Sequence, residues 1–196
     1  MILPIVAYGS PVLKKKASDI TKDYPKLDEL IDNMFETMYN ANGVGLAAPQ
    51  IGLSIRLFVV DAKPFSQDES LTEKEVKELE TFKRVFINPK IIEENGIEWD
   101  FNEGCLSIPD VHEDIFRKPE IKVEYLDENF EPQVEILSGL PARVVQHEYD
   151  HIEGILFTDR ISNLKKRLIK SKLNNITKGK IDVGYKMKYP LAKKNR

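Results

Sequence analysis

Apolar residues recur at helical spacing in three stretches of the chain, residues 26–39, 141–152 and 162–173. The first carries one apolar stripe and is followed by Asn-Ala-Asn-Gly, which ends a helix because Asn and Gly tolerate the left-handed cap. The second is apolar enough for a buried helix and is closed by Gly154. The third predicts an amphipathic helix with a basic outer face, and its apolar positions are Leu164, Leu168 and Leu173.

Short apolar runs elsewhere in the chain predict β-strands. They lie at residues 56–61, 84–87, 91–92, 97–101, 121–126 and 133–137. Because Pro, Gly and Asn separate them at short intervals, antiparallel meanders are favoured over parallel βαβ units. A loop of small residues at 43–52 leads into the first strand. Residues 63–83 are polar and acid-rich, with a weak helical pattern at 73–80, and we expect them to form an inserted surface loop.

Chain length and composition fit one folded domain over residues 1–196. A length of 196 residues with 41% hydrophobic content supports one well-buried core. No run approaches the roughly 18 apolar residues of a membrane helix, and the first residues lack a basic leader or cleavage site. We therefore expect a cytoplasmic protein without a membrane partner. The single cysteine, Cys105, excludes an intrachain disulfide and fits a reducing compartment.

The net charge of −3 conceals an uneven distribution of charged residues. Residues 163–196 contain 12 Lys and Arg and one acid, Asp182, so the rest of the chain is strongly acidic. An acidic body with a basic tail is common in proteins that meet nucleic acid at one end. A solvated tail without a partner explains the same charges equally well.

Residues 147–151, His-Glu-Tyr-Asp-His, carry the strongest chemical signal in the chain. Residues four apart on a helix share a face, so His147 and His151 can bind one metal ion. Glu148, next to the first imidazole, is placed to act as a general base toward an attacking water without binding the metal itself. Because the chain has only 3 His, this spacing predicts a metal-dependent hydrolase centred on the second helix.

A catalytic metal of this kind needs a third protein ligand and one open position. Zinc peptidases of the thermolysin type take an acid from a later helix, whereas the later helix predicted here is rich in lysine. Cys105 follows a strand-like segment and has a glycine beside it, so that its thiolate could approach a metal. A thiolate with two imidazoles suits iron(II) or zinc. The full set of candidates is Cys105, His112, Asp150, Glu153 and Asp159.

Three motifs occur in order along the chain, and together they are highly specific. They are Gly-Val-Gly-Leu-Ala-Ala-Pro-Gln at 43–50, Glu-Gly-Cys-Leu-Ser at 103–107 and Gln-His-Glu-Tyr-Asp-His at 146–151. In order and spacing they resemble the signature motifs of the peptide deformylase family, and the similarity runs from about Tyr8 to the C-terminal helix. The predicted fold class is α+β, with antiparallel β-sheets packed around a central metal-binding helix and a C-terminal amphipathic helix.

The resemblance implies an enzyme that removes the formyl group from the N-terminal methionine of newly made proteins and releases formate. It implies that Cys105, His147 and His151 bind one divalent metal ion, and that Glu148 acts first as base and then as acid. Iron(II) would be the native ion, and zinc, nickel or cobalt could occupy the same site. The partners would be N-formylmethionyl peptides of nascent chains; we expect no DNA partner.

The resemblance also assigns roles around the metal. Gln50 and the backbone N–H of Leu106 would hold the oxyanion, and Gly45 would present main-chain groups to the bound peptide. Val44, Leu106 and Ile108 are candidates for the walls of a methionine pocket, although apolar residues beside a motif are more often plain core.

Four polar residues near the motifs have open roles. Asp150 could orient a ligating imidazole or form a surface ion pair, and Glu103 could support Gln50 or a loop backbone. Many relatives carry a substrate-contacting arginine near position 112, where this chain has His112, with Arg117 a little later. We expect His112 to be a surface histidine.

The basic C-terminal helix and tail, residues 162–196, match a region that in some relatives docks at the ribosome, and ribosome contact is a hypothesis on that basis.

Two other functions compete with deformylation. A peptidase that cleaves internal peptide bonds would use the same pair of metal-binding histidines, but that function leaves Gln50 and Cys105 without a role. A binding module without turnover would be expected to have lost a ligand or the base, and every matching position here is intact.

Overall fold

The structure is a computed structural model that describes residues 1–191. Within that range the chain forms four α-helices and nine β-strands, joined by loops and short 3₁₀ turns. The strands are β1 (Ile5–Val6), β2 (Gly45–Ala47), β3 (Leu57–Asp61), β4 (Lys83–Asn95), β5 (Trp99–Cys105), β6 (Ile108–Arg117), β7 (Glu120–Leu126), β8 (Pro132–Ser138) and β9 (Met187–Lys188). The helices are α1 (Leu27–Asn40), α2 (Glu73–Thr81), α3 (Gly139–Ile152) and α4 (Asn163–Thr177).

A five-stranded antiparallel sheet with the strand order β2-β3-β4-β7-β8 forms the centre of the fold. Successive side chains of a strand point to opposite faces, so Phe58 and Val60 of β3 pack with α3, while Leu57 and Val59 pack with α1. Burying each of these side chains contributes about 1.5–3 kcal/mol. The predicted α+β class, with antiparallel sheet packed around a central helix, is confirmed.

The two helices that cover the central sheet begin and end close to their predicted bounds. α1 occupies Leu27–Asn40 and α3 occupies Gly139–Ile152. Gly154 ends the second helix with φ +75°, and a Cβ there would lie 2.9 Å from the backbone carbonyl of Lys14. Glycine is therefore required both by the left-handed conformation and by the close approach of another chain segment.

Strand β4 joins two strands that the sequence predicts separately. Its pairing with β7 shifts register between Ile87 and Lys90, where Asn88 has φ +49°. The Asn88 side chain compensates by accepting a hydrogen bond from the Ile20 N–H at 2.9 Å and donating one to the Ile20 carbonyl at 2.8 Å. The bulge thus bends a single long strand and anchors the N-terminal segment to it.

Strand β6 lies in a stretch, residues 108–117, for which the sequence pattern predicted no strand. β6 pairs antiparallel with β5 in a second sheet of two strands. Its buried residues include Ile108, Val111 and Ile115, and polar side chains occupy most positions between them. The sequence hides this alternation, because Pro109 and Arg117 occupy buried positions and Phe116 is exposed.

Residues 63–83 are more ordered than the predicted surface loop. They form a 3₁₀ turn at Lys63–Gln67 and the helix α2, which agrees with the helical pattern at 73–80. Thr72 caps α2: its side chain accepts from the Glu75 N–H at 3.3 Å, and its own N–H donates to the Glu75 carboxylate at 2.8 Å. Leu79 is 1% exposed, so α2 is anchored in the core rather than laid over the surface.

Helix α4 buries a stripe that shares only Leu173 with the predicted one. Its buried residues are Ile169, Leu173 and Ile176, whereas Leu164 and Leu168 are 67% and 74% exposed. The periodicity alone could not decide between the stripes, because both have helical spacing. The helix also continues to Thr177, beyond the predicted end at Leu173.

After α4 the chain returns to the body of the protein. β9 pairs in parallel with β1, so the first and last strands of the described chain are neighbours, in contrast to the antiparallel pairing predicted elsewhere. The predicted basic tail therefore contains ordered structure up to residue 191, and its last part, residues 192–196, lies outside the described residues. Every helix within residues 1–191 is too short or too polar to cross a lipid bilayer. The one-domain organisation stays a prediction.

Candidate active site

The three predicted metal ligands meet between β5 and α3. Cys105 is the last residue of β5, and His147 and His151 lie one helical turn apart on α3. One donor atom from each residue lies within 4.8 Å of the donors of the other two. The Cys105 Sγ is 3.2 Å from the His151 Nε2. Of the five candidates for the third ligand, Cys105 is the one that the fold brings to the paired histidines.

The orientation of the His147 ring is fixed by Glu103. Its Nδ1 lies 2.9 Å from the Glu103 Oε2, so the Nδ1–H donates to the carboxylate and Nε2 is left for a metal. The two histidine rings lie edge to face, with 5.1 Å between centroids and 77° between planes. His151 is 1% exposed. Glu103, which is not one of the three metal donors, therefore fixes how the His147 ring faces the site.

Glu103 is held in turn by two buried arginines. Arg117 donates from Nε at 2.7 Å and from Nη2 at 2.9 Å, and Arg143 donates from Nη1 at 3.2 Å. Burial alone would raise the pKa of Glu103, but the hydrogen bonds from Arg117 and His147 hold that pKa well below its usual range. The carboxylate is consequently charged at every physiological pH, and it accepts four hydrogen bonds, counting that from His147.

Asp150 extends this network away from the metal ligands. It accepts from Arg117 Nη1 at 2.8 Å and from Arg160 at 2.6 and 2.7 Å, and it is 5% exposed. Neither sequence interpretation was right, since Asp150 neither orients an imidazole nor forms a surface pair. Arg117 is buried behind the ligands rather than facing a substrate.

Sequence reasoning missed Arg143. It is 3% exposed, donates to the carbonyls of Trp99 and Ile115 at 2.8 and 2.9 Å, and stacks on the Trp99 ring at 4.4 Å. A charged residue in the apolar face of a buried helix is the signal that could have found it, because a buried charge needs partners.

His112 is exposed at the cavity edge, as expected.

Glu148 lines the same cavity as Cys105 and His147 and is 4% exposed. Its Oε2 accepts no hydrogen bond from any group within residues 1–191. Burial raises the pKa of Glu148 to about 7. The backbone of Gly45 passes so close that a Cβ there would lie 2.4 Å from the Glu148 Oε1. The glycine of the first motif thus leaves room for the carboxylate of the third.

Gln50 points its amide nitrogen toward the ligands. The Ala47 N–H donates to its Oε1 at 2.8 Å, so the oxygen is occupied and the NH₂ group faces inward, 3.5 Å from the Cys105 Sγ. Gln50 is 1% exposed and lies in a 3₁₀ turn, Ala48–Ile51, that follows β2. The predicted small-residue loop at 43–52 therefore contains regular structure that fixes this side chain.

A cavity of about 450 Å³ opens in front of these groups. Val44, Leu106 and Ile108 line it, as the sequence predicted for the walls of a pocket. The wall also contains aromatic residues that sequence reasoning did not place there, namely Phe65 from residues 63–83, Phe101 and Tyr185. Phe65 packs edge-on against Phe101, with 6.2 Å between centroids.

Comparison with known proteins agrees with the geometry. The family model described as polypeptide deformylase matches residues 2–167. The chain belongs to the polypeptide deformylase family. A peptide deformylase of Christiangramia forsetii is 69% identical over 196 residues, covering 100% of both chains, and that of Flavobacterium johnsoniae is 64% identical over the same coverage. The crystal structure of a peptide deformylase from Legionella pneumophila has a TM-score of 0.77 at 36% identity, covering 92% of this chain and 98% of that one.

Deformylases are metal-dependent hydrolases that remove the N-formyl group from nascent chains, and this chain has that family's activity. The prediction drawn from the three motifs is therefore confirmed. The competing interpretations, a peptidase acting on internal bonds and a binding module without turnover, are set aside. The Cys105, His147 and His151 group could hold the metal on which the family depends.

Proposed function

We propose that this deformylase hydrolyses N-formylmethionyl peptides at a single metal centre held by Cys105, His147 and His151. The observation that carries the proposal is the convergence of these three donors within 4.8 Å, beside a cavity that Cys105, His147 and the buried Glu148 line. Three protein donors leave one position of a tetrahedral centre open, as catalytic rather than structural sites require.

The donor set fits a divalent transition metal. A thiolate is soft and imidazole is intermediate, which suits iron(II) and zinc and disfavours magnesium or calcium. We assign iron(II) as the native ion, with zinc, nickel or cobalt able to take its place. When bound, the ion would lower the pKa of water and polarise the formyl oxygen.

Glu148 moves the proton in this proposal. It takes a proton from the attacking water and returns it to the departing amine. Burial raises the pKa of Glu148 to about 7. A general base whose pKa is near the working pH can both accept and release a proton efficiently. The unpartnered Oε2 leaves one carboxylate oxygen available for that water.

Gln50 and the backbone N–H of Leu106 are the proposed donors to the oxyanion. The Gln50 amide is already turned toward the ligands by its bond from Ala47, so no reorganisation is needed when charge develops. Leu106 follows the ligand Cys105 directly and lines the cavity. Removing one such donor typically costs a factor of about 10²–10³ in rate.

The apolar wall provides the proposed methionine pocket. Val44 and Ile108 lie on it and would contact the methionine side chain, and Gly45 would present main-chain groups to the peptide. A formyl carbon carries only hydrogen, so a tight site admits it and excludes a bulkier acyl group.

The decisive experiment combines metal analysis with formate release. Protein purified without oxygen should contain close to one iron per chain and release formate from a formyl-Met peptide, but not acetate from the acetylated peptide. A Glu148→Gln variant should keep the metal and lose most activity. Cleavage of internal peptide bonds without formate release, or full activity of the variant, would overturn the proposal.

We also propose that α4 contacts the ribosome, with the enzyme acting in the cytoplasm where nascent chains emerge. Arg167 and Lys170 are exposed on α4 beside the exposed Leu168. Charge reversal at Arg167 and Lys170 should abolish co-sedimentation with ribosomes at low salt, since phosphate contacts are salt-sensitive. The same reversal at the exposed Lys74 and Lys77 on α2 is the matched control. Equal loss in both variants would refute the contact.

A further inference from the structure

Residues 181–189 add a segment to the protein that the family model, which ends at residue 167, does not include. Their side chains alternate between half-buried and exposed, and the half-buried ones are Ile181, Val183, Tyr185, Met187 and Tyr189. This period of two, with polar residues or glycine between the apolar ones, is a strand signal in the sequence.

The backbone of this segment is tied to the N-terminal strand. The Ile5 N–H donates to the Lys186 carbonyl and the Ala7 N–H to the Lys188 carbonyl, both at 2.9 Å. Tyr185 immediately precedes the paired residues. Its position is therefore set by strand pairing rather than by a free loop.

Tyr185 reaches the turn that carries the metal-ligand motif. Leu106 and Ser107 are the two turn residues between β5 and β6, directly after the ligand Cys105. The Tyr185 hydroxyl donates to the Leu106 carbonyl at 2.8 Å, and the Tyr8 N–H donates to the Ser107 carbonyl at 2.8 Å. The two consecutive carbonyls of this turn are thus held by residues from the two ends of the described chain.

The ring of Tyr185 also forms part of the catalytic cavity. It lines the wall together with Leu106, and Tyr185, Leu106 and Met187 all pack against the same buried apolar cluster. Tyr189, two residues on, has its ring against Gly179 and is absent from the residues that line the cavity. The two tyrosines therefore share a segment and a face but differ in their relation to the site.

We propose that Tyr185 is a positioning residue for the deformylase reaction, acting through the main chain of Leu106. By holding the Leu106 carbonyl, the hydroxyl restrains the backbone that carries the Leu106 N–H, so that this N–H is aimed before charge develops on the formyl oxygen. The inference rests on the proposed oxyanion role of Leu106. It makes the C-terminal segment part of the catalytic unit.

The test compares Tyr185→Phe with Tyr189→Phe. Each removes one hydroxyl and keeps the ring, and only the first loses the bond to Leu106. We expect kcat on a formyl-Met peptide to fall about five- to tenfold in Tyr185→Phe, which corresponds to about 1 kcal/mol of transition-state stabilisation. KM and metal content should stay close to wild type, Tm should fall by about 2–4 °C at most, and Tyr189→Phe should match wild type throughout.

Three results would overturn the proposal: equal kcat in the two variants, a rise in KM without a fall in kcat, or a loss of kcat that follows loss of metal or of folded protein. These outcomes differ from failure of the proposed function, in which the wild-type enzyme itself would release no formate. A kcat-specific loss confined to Tyr185→Phe would establish the positioning role.

Discussion

Gly45→Ala should damage catalysis without damaging the fold. Gly45 lies in β2 with φ outside the left-handed region, so alanine can adopt its backbone conformation. The added Cβ would lie 2.4 Å from the Glu148 Oε1, and ordinary Cβ contacts begin at 3.4 Å. The carboxylate must therefore move by about 1 Å, and a misplacement of that size costs a rate factor on the order of 10².

Formate release from a formyl-Met peptide, measured together with bound metal, is the suitable assay. We expect kcat to fall by about two orders of magnitude while metal occupancy stays unchanged, because the three ligands are not displaced. Gly184→Ala is the control, since a Cβ at that position meets no atom of residues 1–191 within 4 Å. A Gly45→Ala enzyme with kcat within threefold of wild type, at about one metal per chain, would refute the proposed role of the Glu148 position.

Three further predictions concern the groups around the site. Glu103→Gln should weaken metal binding about 10- to 100-fold, because an uncharged amide has one acceptor oxygen for donors that now use two, so the hold on the His147 Nδ1–H is weakened. Competition with a chelator would measure this, and unchanged affinity would contradict the orienting role. Arg117→Leu should lower the free energy of unfolding by about 3–5 kcal/mol, because it deprives Glu103 and Asp150 of a buried counter-charge. Urea denaturation resolves a loss of that size, and an unchanged free energy of unfolding would argue against the network. Leu79→Ala should lower the free energy of unfolding by about 2–4 kcal/mol, because it removes a buried side chain, and should leave kcat unchanged. A fall in kcat of the folded variant would mean that α2 controls the site directly.

The sequence was sufficient for the features that depend on local spacing. Helix α3 could be predicted because its apolar residues repeat at helical intervals, and the positions of His147 and His151 on one face follow from that helix. The choice of Cys105 as third ligand needed the family resemblance in addition. Spacing along the chain does not show which distant residue the fold brings to a helix.

The network behind the ligands could not be predicted for the same reason. Glu103 meets Arg117 across the β5–β6 pair and Arg143 from α3, and nothing local in the sequence links these residues. The α4 stripe shows a different limit, since two sets of residues had helical spacing and only packing against the body chose between them. Leu164 and Leu168, which belonged to the predicted stripe, are therefore exposed.

The pairing of β1 with β9 has a consequence for how the enzyme is made. Ile5 and Met187 are separated by almost the whole chain, so their contact is among the most non-local in the molecule. Contacts of this kind form late, because a large loop must close before they stabilise anything. Tyr185 can therefore reach Leu106 only after a ribosome has released the chain at least as far as residue 185. The enzyme acts on other proteins at the start of their synthesis, but its own Tyr185–Leu106 contact waits until both strands of the β1–β9 pair have been made.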